Sequence, residues 1–400
     1  MPVIVQKYGG SSIADVDKIK KIAALIAVVK KEGYDVVAVV SAMGKTTNQL
    51  IETAKSLSHD PAKRELDMLL STGERISMSL LCIALNELGV KAISLTGSQS
   101  GIITNDRYND ARVIEVRPFR VQDELAKGMV VVIGGFQGVS YKRDITTLGR
   151  GGSDTSAVAM AAALGAERCE IYSDVDGVYT SDPNLIKEAK HLPELSFQQL
   201  QEMSEAGAKV LNAQAVQFAK ESKIAIYARS TFQPGKETVI RESQPTGKTS
   251  VIAVVHESDV IRIIFRDENL NVNIKGILGY FEDKNISIKE LNLIKDKTNN
   301  DSRISFVISK KNIHSWEKIK DELIKLNKDK ISIDDSLGAV SLIGEGFNRD
   351  NTIISESMSV LSQNNIEVFG LTTTSFRVSI LIGKDIIEKT VSVLHRYWVK

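Results

Sequence analysis

The feature that most constrains this chain is the repeated alternation of short β-branched runs with amphipathic helical stretches, from Val3 to about Arg241. The run Val36–Ser41 is apolar without polar alternation, which is typical of a parallel strand buried on both faces. A helix is predicted over Val16–Lys31, whose apolar residues fall on one face. Further strands are predicted at Val3–Gln6, Lys91–Leu95, Met129–Gly134, Glu170–Tyr172 and Ile224–Ala228. The pattern predicts a three-layer αβα domain with a mainly parallel sheet, in which ligands lie beyond the carboxyl ends of the strands.

A different organisation begins after the short polar stretch 242–250, which contains Pro and Gly and is interpreted as a linker. Beyond it, Asp259–Ile288 resembles Gly338–Val368, and each copy reads as strand, polar loop, helix, Asn-Ile and second strand. Each copy is too short to bury a core of its own, so the two are expected to pack together. The predicted domains are therefore residues 1–241, the linker 242–250, and two small α+β domains at 251–335 and 336–400.

Composition excludes several classes of function. Lys and Arg number 51 against 50 for Asp and Glu, so no net charge is available to hold nucleic acid or an anionic membrane. No stretch reaches the ~20 uninterrupted apolar residues of a membrane span. The two cysteines and five histidines show no metal-ligand spacing, and Cys82 and Cys169 are expected to be small buried hydrophobes. We expect a cytoplasmic protein.

The first motif with chemical meaning is KYGGSS, Lys7–Ser12, between a strand and a helix. Two glycines allow the backbone to approach a phosphate closely, and Lys7 can neutralise charge on a transferred phosphoryl group. A plain tight turn is the alternative for the glycine pair taken alone. In the next motif, Val39–Leu50, the end of a strand at Ser41 is followed by Thr47, which serves either an anionic ligand or simple helix capping.

The most specific motif is TTLGRGGSDTSA, Thr146–Ala157. It combines three glycines, an arginine, hydroxyl groups and an aspartate in a loop that runs into an Ala-rich helix. Arg150 can grip a substrate carboxylate through two hydrogen bonds, and Asp154 can hold a metal or orient neighbouring donors. Glu74, in STGERIS, is predicted at the start of a helix, where the helix dipole alone would favour a carboxylate.

Two further segments suggest a nucleotide site. YSDVDGVYTSDPN, Tyr172–Asn184, places Ser173 and Asp174 at the end of a strand, although a hairpin turn at Asp176–Gly177 is a competing interpretation. GAKVLN, residues 207–212, carries Lys209 in a predicted helical region. A lysine of this kind is otherwise a solvated surface charge.

In this order and spacing, the motifs resemble those of the aspartokinase family of amino-acid kinases, over nearly the whole chain. KYGGSS, VVSAMG, the Gly-Glu of STGERIS, GGFQG, TTLGRGGSD, SDVDGVYTSDP and GAKVL follow in the family's order. The C-terminal repeat resembles the paired, ferredoxin-like ACT domains that bind amino acids and inhibit these enzymes. Asn184 and Lys289 depart from the family pattern, which usually has an arginine at the first position and an acidic residue at the second.

The resemblance implies a carboxyl-group kinase with L-aspartate and ATP as substrates, Mg²⁺ bound through the phosphates, and roles for individual residues. Catalytic roles fall on Lys7 and Asp154. The implied aspartate site comprises Ser41, Thr47, Glu74, Arg150, Gly151, Gly152 and Ser153. The implied ATP site comprises Lys7, Tyr8, Gly9, Gly10, Ser173, Asp174, Tyr179, Asp182, Asn184, Lys209 and Val210.

The implied reaction is in-line attack of the aspartate β-carboxylate on the γ-phosphorus, which gives 4-phospho-L-aspartate at the start of lysine, threonine, methionine and diaminopimelate synthesis. A lysine or threonine effector is expected in the C-terminal loops at Asp267–Lys275 or Glu345–Ile353. We also expect a homodimer or a higher homo-oligomer formed beyond about Ser250. The alternatives are a related kinase that acts on glutamate or acetylglutamate, and a non-catalytic amino-acid sensor.

Overall fold

A computed structural model describes residues 1–149, 151–208, 210–233, 235–243, 249–267, 270–284, 286–295, 302–310, 313, 316–327 and 330–399. The chain divides into two compact units. The first unit comprises residues 1–179, 191–204 and 209–244, and the second comprises 180–190, 205–208 and 245–400. Two short stretches from the predicted kinase region are therefore counted with the C-terminal unit. The domain boundaries proposed from the sequence remain predictions.

Strands and helices alternate in the first part of the chain, as the sequence pattern predicts. The strands are β1 (Val3–Tyr8), β2 (Asp35–Val40), β3 (Ala92–Leu95), β4 (Ile102–Thr104), β5 (Val113–Val116), β6 (Val130–Gly134), β7 (Gln137–Ser140), β8 (Ile145–Thr147), β9 (Arg168–Ser173), β10 (Val178–Tyr179), β11 (His191–Leu192), β12 (Glu194–Ser196), β13 (Ile226–Ser230) and β14 (Glu237–Arg241). The helices are α1 (Val16–Lys31), α2 (Thr46–Leu57), α3 (Lys63–Glu87), α4 (Phe119–Ala126), α5 (Gly152–Leu164), α6 (Phe197–Glu205) and α7 (Ala213–Ser222).

The main sheet of this unit has eight strands in the order β12-β14-β13-β9-β1-β2-β6-β3. Six strands run parallel to one another, in the order β13-β9-β1-β2-β6-β3, whereas β14 is antiparallel to β13. A second sheet has the order β5-β4-β7-β8. The prediction of a mainly parallel sheet is confirmed. The unbroken apolar runs lie in the centre of this sheet, where both faces are covered.

Helices cover the sheet on both faces. Val36, Ala38 and Val40 of β2 share one core cluster with apolar residues of α1 and α3, while α5 packs against β1 and β2. Helix α1 begins as its sequence dictates: the Asp15 side chain accepts a hydrogen bond from the N–H of Lys18 at 2.9 Å and caps the helix. In α5, residues 152–161 are buried, because its many alanines allow close approach to the sheet. These helices form the outer layers of the three-layer domain.

Helix α3 is long and apolar enough to cross a membrane, judged by length and composition alone. Half of its most apolar window is buried inside the protein, as in the core helix of a globular domain. Cys82, on this helix, and Cys169, on β9, are both free and buried, which confirms the sequence interpretation.

The second unit is built around one six-stranded sheet, with the order β16-β17-β15-β18-β20-β19. Its strands are β15 (Ser250–Arg266), β16 (Ile288–Lys295), β17 (Ser302–Ser309), β18 (Ile331–Glu345), β19 (Gly370–Thr373) and β20 (Arg377–Gly383). Its helices are α8 (Leu270–Asp283), α9 (Trp316–Asn327), α10 (Thr352–Gln363), a 3₁₀ turn at Lys384–Ile386 and α11 (Ile387–Trp398).

The two repeats share this sheet through its long central strands. β15 and β18 pair antiparallel over most of their length; the second half of β15 pairs with β17, and the second half of β18 pairs with β20. Each half therefore has the four-stranded order of a ferredoxin-like domain. The second half takes its fourth strand from 250–257, the start of β15, which precedes the first half in sequence. The predicted fold class is confirmed.

Candidate active site

The carboxyl ends of the central strands converge, and backbone hydrogen bonds tie them together. The N–H of Gly9, just after β1, donates to the carbonyl of Tyr172 at 3.2 Å. The N–H of Ser41, just after β2, donates to the carbonyl of Tyr8 at 3.1 Å, and that of Gly135 donates to the carbonyl of Val40 at 2.9 Å. The predicted site motifs that follow β1, β2 and β9 thus meet at one edge of the sheet.

Gly10 is required by close backbone packing at this edge. A Cβ at Gly10 would lie 2.9 Å from the carbonyl oxygen of Ala42, so any side chain there would displace the loop after β2. The N–H of Gly44 donates to the carbonyl of Gly10 at 3.0 Å and holds the two loops together. The KYGGSS motif therefore forms a bare backbone surface that a phosphate can approach.

Helix α5 begins at this edge without a side-chain cap, as α2 does after β2. Asp15 caps α1 with its side chain, whereas Gly151, the cap of α5, has a φ of 74° and no side chain to offer. The amino terminus of a helix carries partial positive charge that favours an anion, and here the N–H groups of Gly152 and Asp154 also donate to the carbonyls of Gly149 and Gly151. Gly152, Ser153 and Asp154 of the predicted aspartate loop form the first turn of this helix.

Lys7 and Asp154 form an ion pair at the centre of the site. Nζ of Lys7, on β1, lies 2.7 Å from Oδ1 of Asp154, and the two side chains are only 12% and 11% exposed. Oγ of Ser41 donates to Oγ of Ser153 at 3.0 Å, which connects the end of β2 to the same turn of α5. The structure therefore brings together four residues that the sequence analysis assigned to the site.

Glu74 lies on α3 and is 2% exposed. Its Oε1 accepts a hydrogen bond from the N–H of Ala42 at 3.0 Å, while its Oε2 is buried and accepts none within the described part of the chain. Burial raises the pKa of this carboxyl to about 7, and the hydrogen bond from Ala42 offsets only part of that rise. A cation placed at Oε2 would restore the ordinary ionised state.

The remaining predicted residues are placed less centrally. Ser173 and Asp174 follow β9, and the Ser173 hydroxyl donates to the carbonyl of Val175. The hydroxyl of Tyr179 donates to Asp176 at 2.7 Å, which raises the pKa of Tyr179 to about 12. Thr47 on α2 and Val210 are both half-buried.

Four other predictions do not enter this description of the site. Asp182 and Asn184 are bonded to each other and belong to the stretch 180–190 that is counted with the second unit. Arg150 and Lys209 lie outside the described residues.

One local expectation from the sequence is wrong, and so are two alternatives that the sequence left open. Glu74 lies in the middle of α3, which already begins at Lys63, and not at the start of a helix. Thr47 does not cap α2, because that helix begins at Thr46 and its cap, Lys45, makes no side-chain bond. Asp176–Gly177 is not the turn of a hairpin with β9, because the strand that follows it, β10, pairs with β11.

Sequence reasoning missed two buried carboxylates beneath the site. Glu170, on β9, is 1% exposed and accepts hydrogen bonds from Gln6, Arg168 and Arg229 at 2.7–2.9 Å. Asp67 is fully buried on α3, two helical turns before Glu74. For Asp67, the available signal in the sequence was its spacing of seven residues from Glu74, which places both carboxylates on one side of a helix.

The described residues fit a magnesium–nucleotide complex better than a metal held by the protein alone. Among them, no group of three or more His, Cys, Asp or Glu side chains is arranged to hold a metal ion. The acidic group at the centre, Asp154, is a single carboxylate beside the bare glycine backbone. Such a site suits Mg²⁺ that arrives with substrate phosphates, which is the usual mode for this ion.

Comparison with known proteins agrees with this geometry. The model of the amino acid kinase family matches residues 2–230. Aspartokinase of Mycolicibacterium smegmatis is 38% identical over 99% of this chain and 96% of its own length. Aspartokinase of Corynebacterium glutamicum is 36% identical over the same shares.

Solved structures show the same fold. E. coli aspartokinase III in complex with aspartate and ADP matches with a TM-score of 0.86 over the full length of both chains, at 22% identity. Aspartate kinase from Synechocystis matches with a TM-score of 0.56 and 30% identity, over 99% of this chain and 69% of that one. With a family match over more than half of the chain and relatives similar over nearly all of it, the chain belongs to the aspartokinases of the amino acid kinase family.

Proposed function

We propose that the protein transfers the γ-phosphoryl group of ATP to the β-carboxylate of L-aspartate. The observation that carries this proposal is the convergence of the Lys7–Asp154 pair, the bare glycine backbone and the half-bonded Glu74 carboxylate at one edge of the sheet. An acceptor with one ammonium and two carboxylates matches those charges. The full-length similarity to proteins named aspartokinase supports the same substrate.

The proposed roles follow from the charge of each group. Glu74 binds the ammonium of aspartate through the oxygen that has no partner in the described residues. Arg150 binds the α-carboxylate, with Thr47 beside it. Gly9 and Gly10 line the ATP phosphates, and Ser173, Asp174 and Tyr179 contact the nucleoside.

Catalysis in this scheme is positioning and charge neutralisation. A β-carboxylate oxygen attacks the γ-phosphorus in line, the bond from that phosphorus to the β,γ-bridging oxygen breaks, and ADP leaves with the electron pair. The attacking carboxylate has a pKa of about 4 and is already ionised, so no general base is required. Lys7 stabilises the charge on the transferred group, and Asp154 holds the Lys7 ammonium in place.

Mg²⁺ enters this scheme with the nucleotide, and Asp154 is the described residue placed to hold it directly or through water. An ion held there would supply positive charge that offsets the charge of the phosphates. The protein's own contribution remains the lysine, the helix terminus and the glycine backbone.

The test of the function is ADP formation with L-aspartate and Mg·ATP, together with trapping of the acyl phosphate by hydroxylamine as the hydroxamate. We expect both products with L-aspartate and neither with glutamate or acetylglutamate at equal concentration. Product with glutamate or acetylglutamate alone would assign the site to a related kinase. No acceptor-dependent ADP would identify a sensor without catalysis.

Arg150 provides a separate prediction about substrate choice. Arg150→Ala removes one charged bidentate contact, which should cost about 2–5 kcal/mol in kcat/KM for aspartate. The KM for ATP should change little. Measurement of both constants, with the exposed Arg120→Ala on α4 as a matched control, checks this. A loss of ATP affinity alone would assign the loop to the nucleotide.

We also propose that an amino acid such as lysine or threonine regulates the enzyme from the second unit. A cavity of about 620 Å³ lies in its first half, with Phe265, Asp267, Tyr280 and Lys330 among its lining residues. Its volume is within the usual range for small ligands, and it reaches the loop predicted to receive an effector. Titration of lysine, threonine and methionine into the hydroxamate assay tests the proposal; unchanged activity at millimolar concentrations of all three would refute it.

A homodimer is proposed because, within the described residues, each edge strand of the six-stranded sheet pairs on one side only. The outermost strand β16 exposes Leu291, Leu293 and Ile294, each about 44% accessible. An apolar strand with one unpaired edge is a pairing site that proteins commonly cover with another copy. Light scattering should give a dimer for the full chain and a monomer for Leu293→Lys, whereas Lys295→Glu serves as the polar control. A monomeric wild type at micromolar concentration would contradict the proposal.

A further inference from the structure

Asp67 is a fully buried carboxylate that the proposed chemistry does not use. Its oxygens accept three donors from segments far away in sequence. The N–H of Asn109 lies 3.0 and 3.1 Å from its two oxygens, the N–H of Thr147 donates at 2.9 Å, and the Thr147 hydroxyl donates at 2.6 Å. Burial of a carboxylate is unfavourable unless hydrogen bonds compensate, so a core position occupied only for packing would carry an apolar residue.

Helix α3 connects this carboxylate to Glu74. The two residues are seven apart, which is two helical turns, so they share one side of the helix. Glu74 holds Ala42 after β2, and Asp67 holds Thr147 at the end of β8. Midway between them, the carbonyl of Ser71 accepts a hydrogen bond from Nε2 of Gln137 at 3.1 Å. One rigid helix therefore sets the distance between two segments of the site, the loop after β2 at Ala42 and the end of β8 at Thr147.

Thr147 and Leu148 lead into the glycine loop of the site: Asp67 holds Thr147, and the N–H of Leu148 donates to the carbonyl of Phe136 at 2.9 Å. Gly149 and Gly151 both adopt left-handed backbone conformations, with φ of 71° and 74°. A loop of this kind takes its position from its two ends, which here are Thr147 and the start of α5. Asp67 also holds Asn109, and the next residue, Asp110, packs beside Gly149. A Cβ at Gly149 would lie 3.1 Å from Oδ1 of Asp110.

We propose that Asp67 is a positioning residue for the amino-acid substrate, because it holds Thr147, which leads into the glycine loop, at a set distance from Glu74. This inference rests on the proposed function, in which that loop grips the substrate α-carboxylate. Asp67 touches no substrate and acts through Thr147 and Asn109. Loss of the Asp67 carboxylate should displace the loop that binds the substrate α-carboxylate relative to Glu74, which binds the substrate ammonium. The phosphate site should be unaffected.

The test is Asp67→Asn, which keeps the shape of the side chain but turns one acceptor oxygen into a donor. We expect KM for aspartate to rise about tenfold or more, with KM for ATP within about twofold of wild type. Asp123→Asn, the same chemical change at an exposed position of α4, should leave both constants unchanged. Thr147→Val should reproduce the defect, and Thr147→Ser, which keeps the hydroxyl, should rescue it.

The outcomes separate the possible explanations. A role in stability alone would lower the melting temperature and the active fraction but leave KM for aspartate at its wild-type value in both Asp67→Asn and Thr147→Val, and this result would overturn the proposal. If Asp67→Asn does not fold, Thr147→Val decides in the same way. A wild-type protein that forms no hydroxamate from aspartate would overturn the proposed function, and this inference with it.

Discussion

Replacement of Lys7 by Ala is expected to lower kcat by two to three orders of magnitude. One well-placed charge at a transition state contributes roughly 3–4 kcal/mol, and each 1.36 kcal/mol is a factor of ten in rate. In the proposed scheme, Lys7 is the cation that β1 places at the phosphoryl group, 2.7 Å from Asp154. Steady-state kinetics at saturating ATP and aspartate measures the effect. Retention of more than about a third of wild-type turnover would exclude Lys7 from the mechanism.

The buried ion pair requires a control for stability. Removal of Lys7 leaves Asp154 only 11% exposed and without the cation that balances it, and breaking a buried pair can cost about 3–5 kcal/mol of folding free energy. The double variant Lys7→Met with Asp154→Asn removes both charges and should recover the stability but not the activity. Lys20→Ala, at an exposed position of α1, should behave as wild type in both measurements. Activity that returns together with stability would show that Lys7 is structural.

The framework of the fold was predictable because its signals are local. The residues of an unbroken apolar strand such as β2 indicate on their own that both faces of the strand are buried. Helix α1 was predicted with its observed bounds, because the residues of its apolar face lie within one short segment. The glycine motifs were equally readable, since close backbone approach leaves few other residues possible.

The errors arose where distant packing overrides a local signal. Ser-Thr-Gly before Glu74 has weak helix propensity and was interpreted as a helix boundary. In the structure, α3 continues through Gly73, and a Cβ there would lie 2.8 Å from the Cβ of Ala42. The glycine is needed for that contact, and the same contact places Glu74 next to Ala42. The same glycine that allows α3 to approach Ala42 therefore led to the wrong prediction of the helix start.

Pairings between remote segments were beyond the reach of the sequence. The donors to Asp67 and Glu170 include Asn109 and Gln6, which lie 42 and 164 residues away, so a single sequence does not show which groups these carboxylates meet. The exchange of a strand between the two repeats also depends on a pairing between remote segments. Repeat similarity indicates two copies, but the partner of the strand 250–257 is fixed only by the register between β15 and β18.

Glu74 gives the second large effect, and it carries a pH signature. In the free enzyme the pKa of this carboxyl is about 7, because burial disfavours its charged form. The substrate ammonium requires the ionised carboxylate, so kcat/KM for aspartate should fall about tenfold per pH unit below pH 7 and level off above it. The substrate β-carboxylate is ionised throughout this range and adds no slope of its own.

Glu74→Gln should abolish that pH dependence and lower kcat/KM for aspartate by about 30-fold to a few thousand-fold, the equivalent of 2–5 kcal/mol for one buried charge pair. Stability should move differently. Since the folded-state pKa lies above the ordinary value of 4.5, the wild-type carboxyl favours the folded state when protonated, and this contribution is lost as pH rises through 7. At pH 8 the variant should therefore melt no lower than wild type, so a loss of activity cannot be attributed to unfolding. Glu87→Gln, exposed near the end of the same helix, is the matched control. A Glu74→Gln enzyme that keeps the wild-type pH profile would show that another group binds the ammonium.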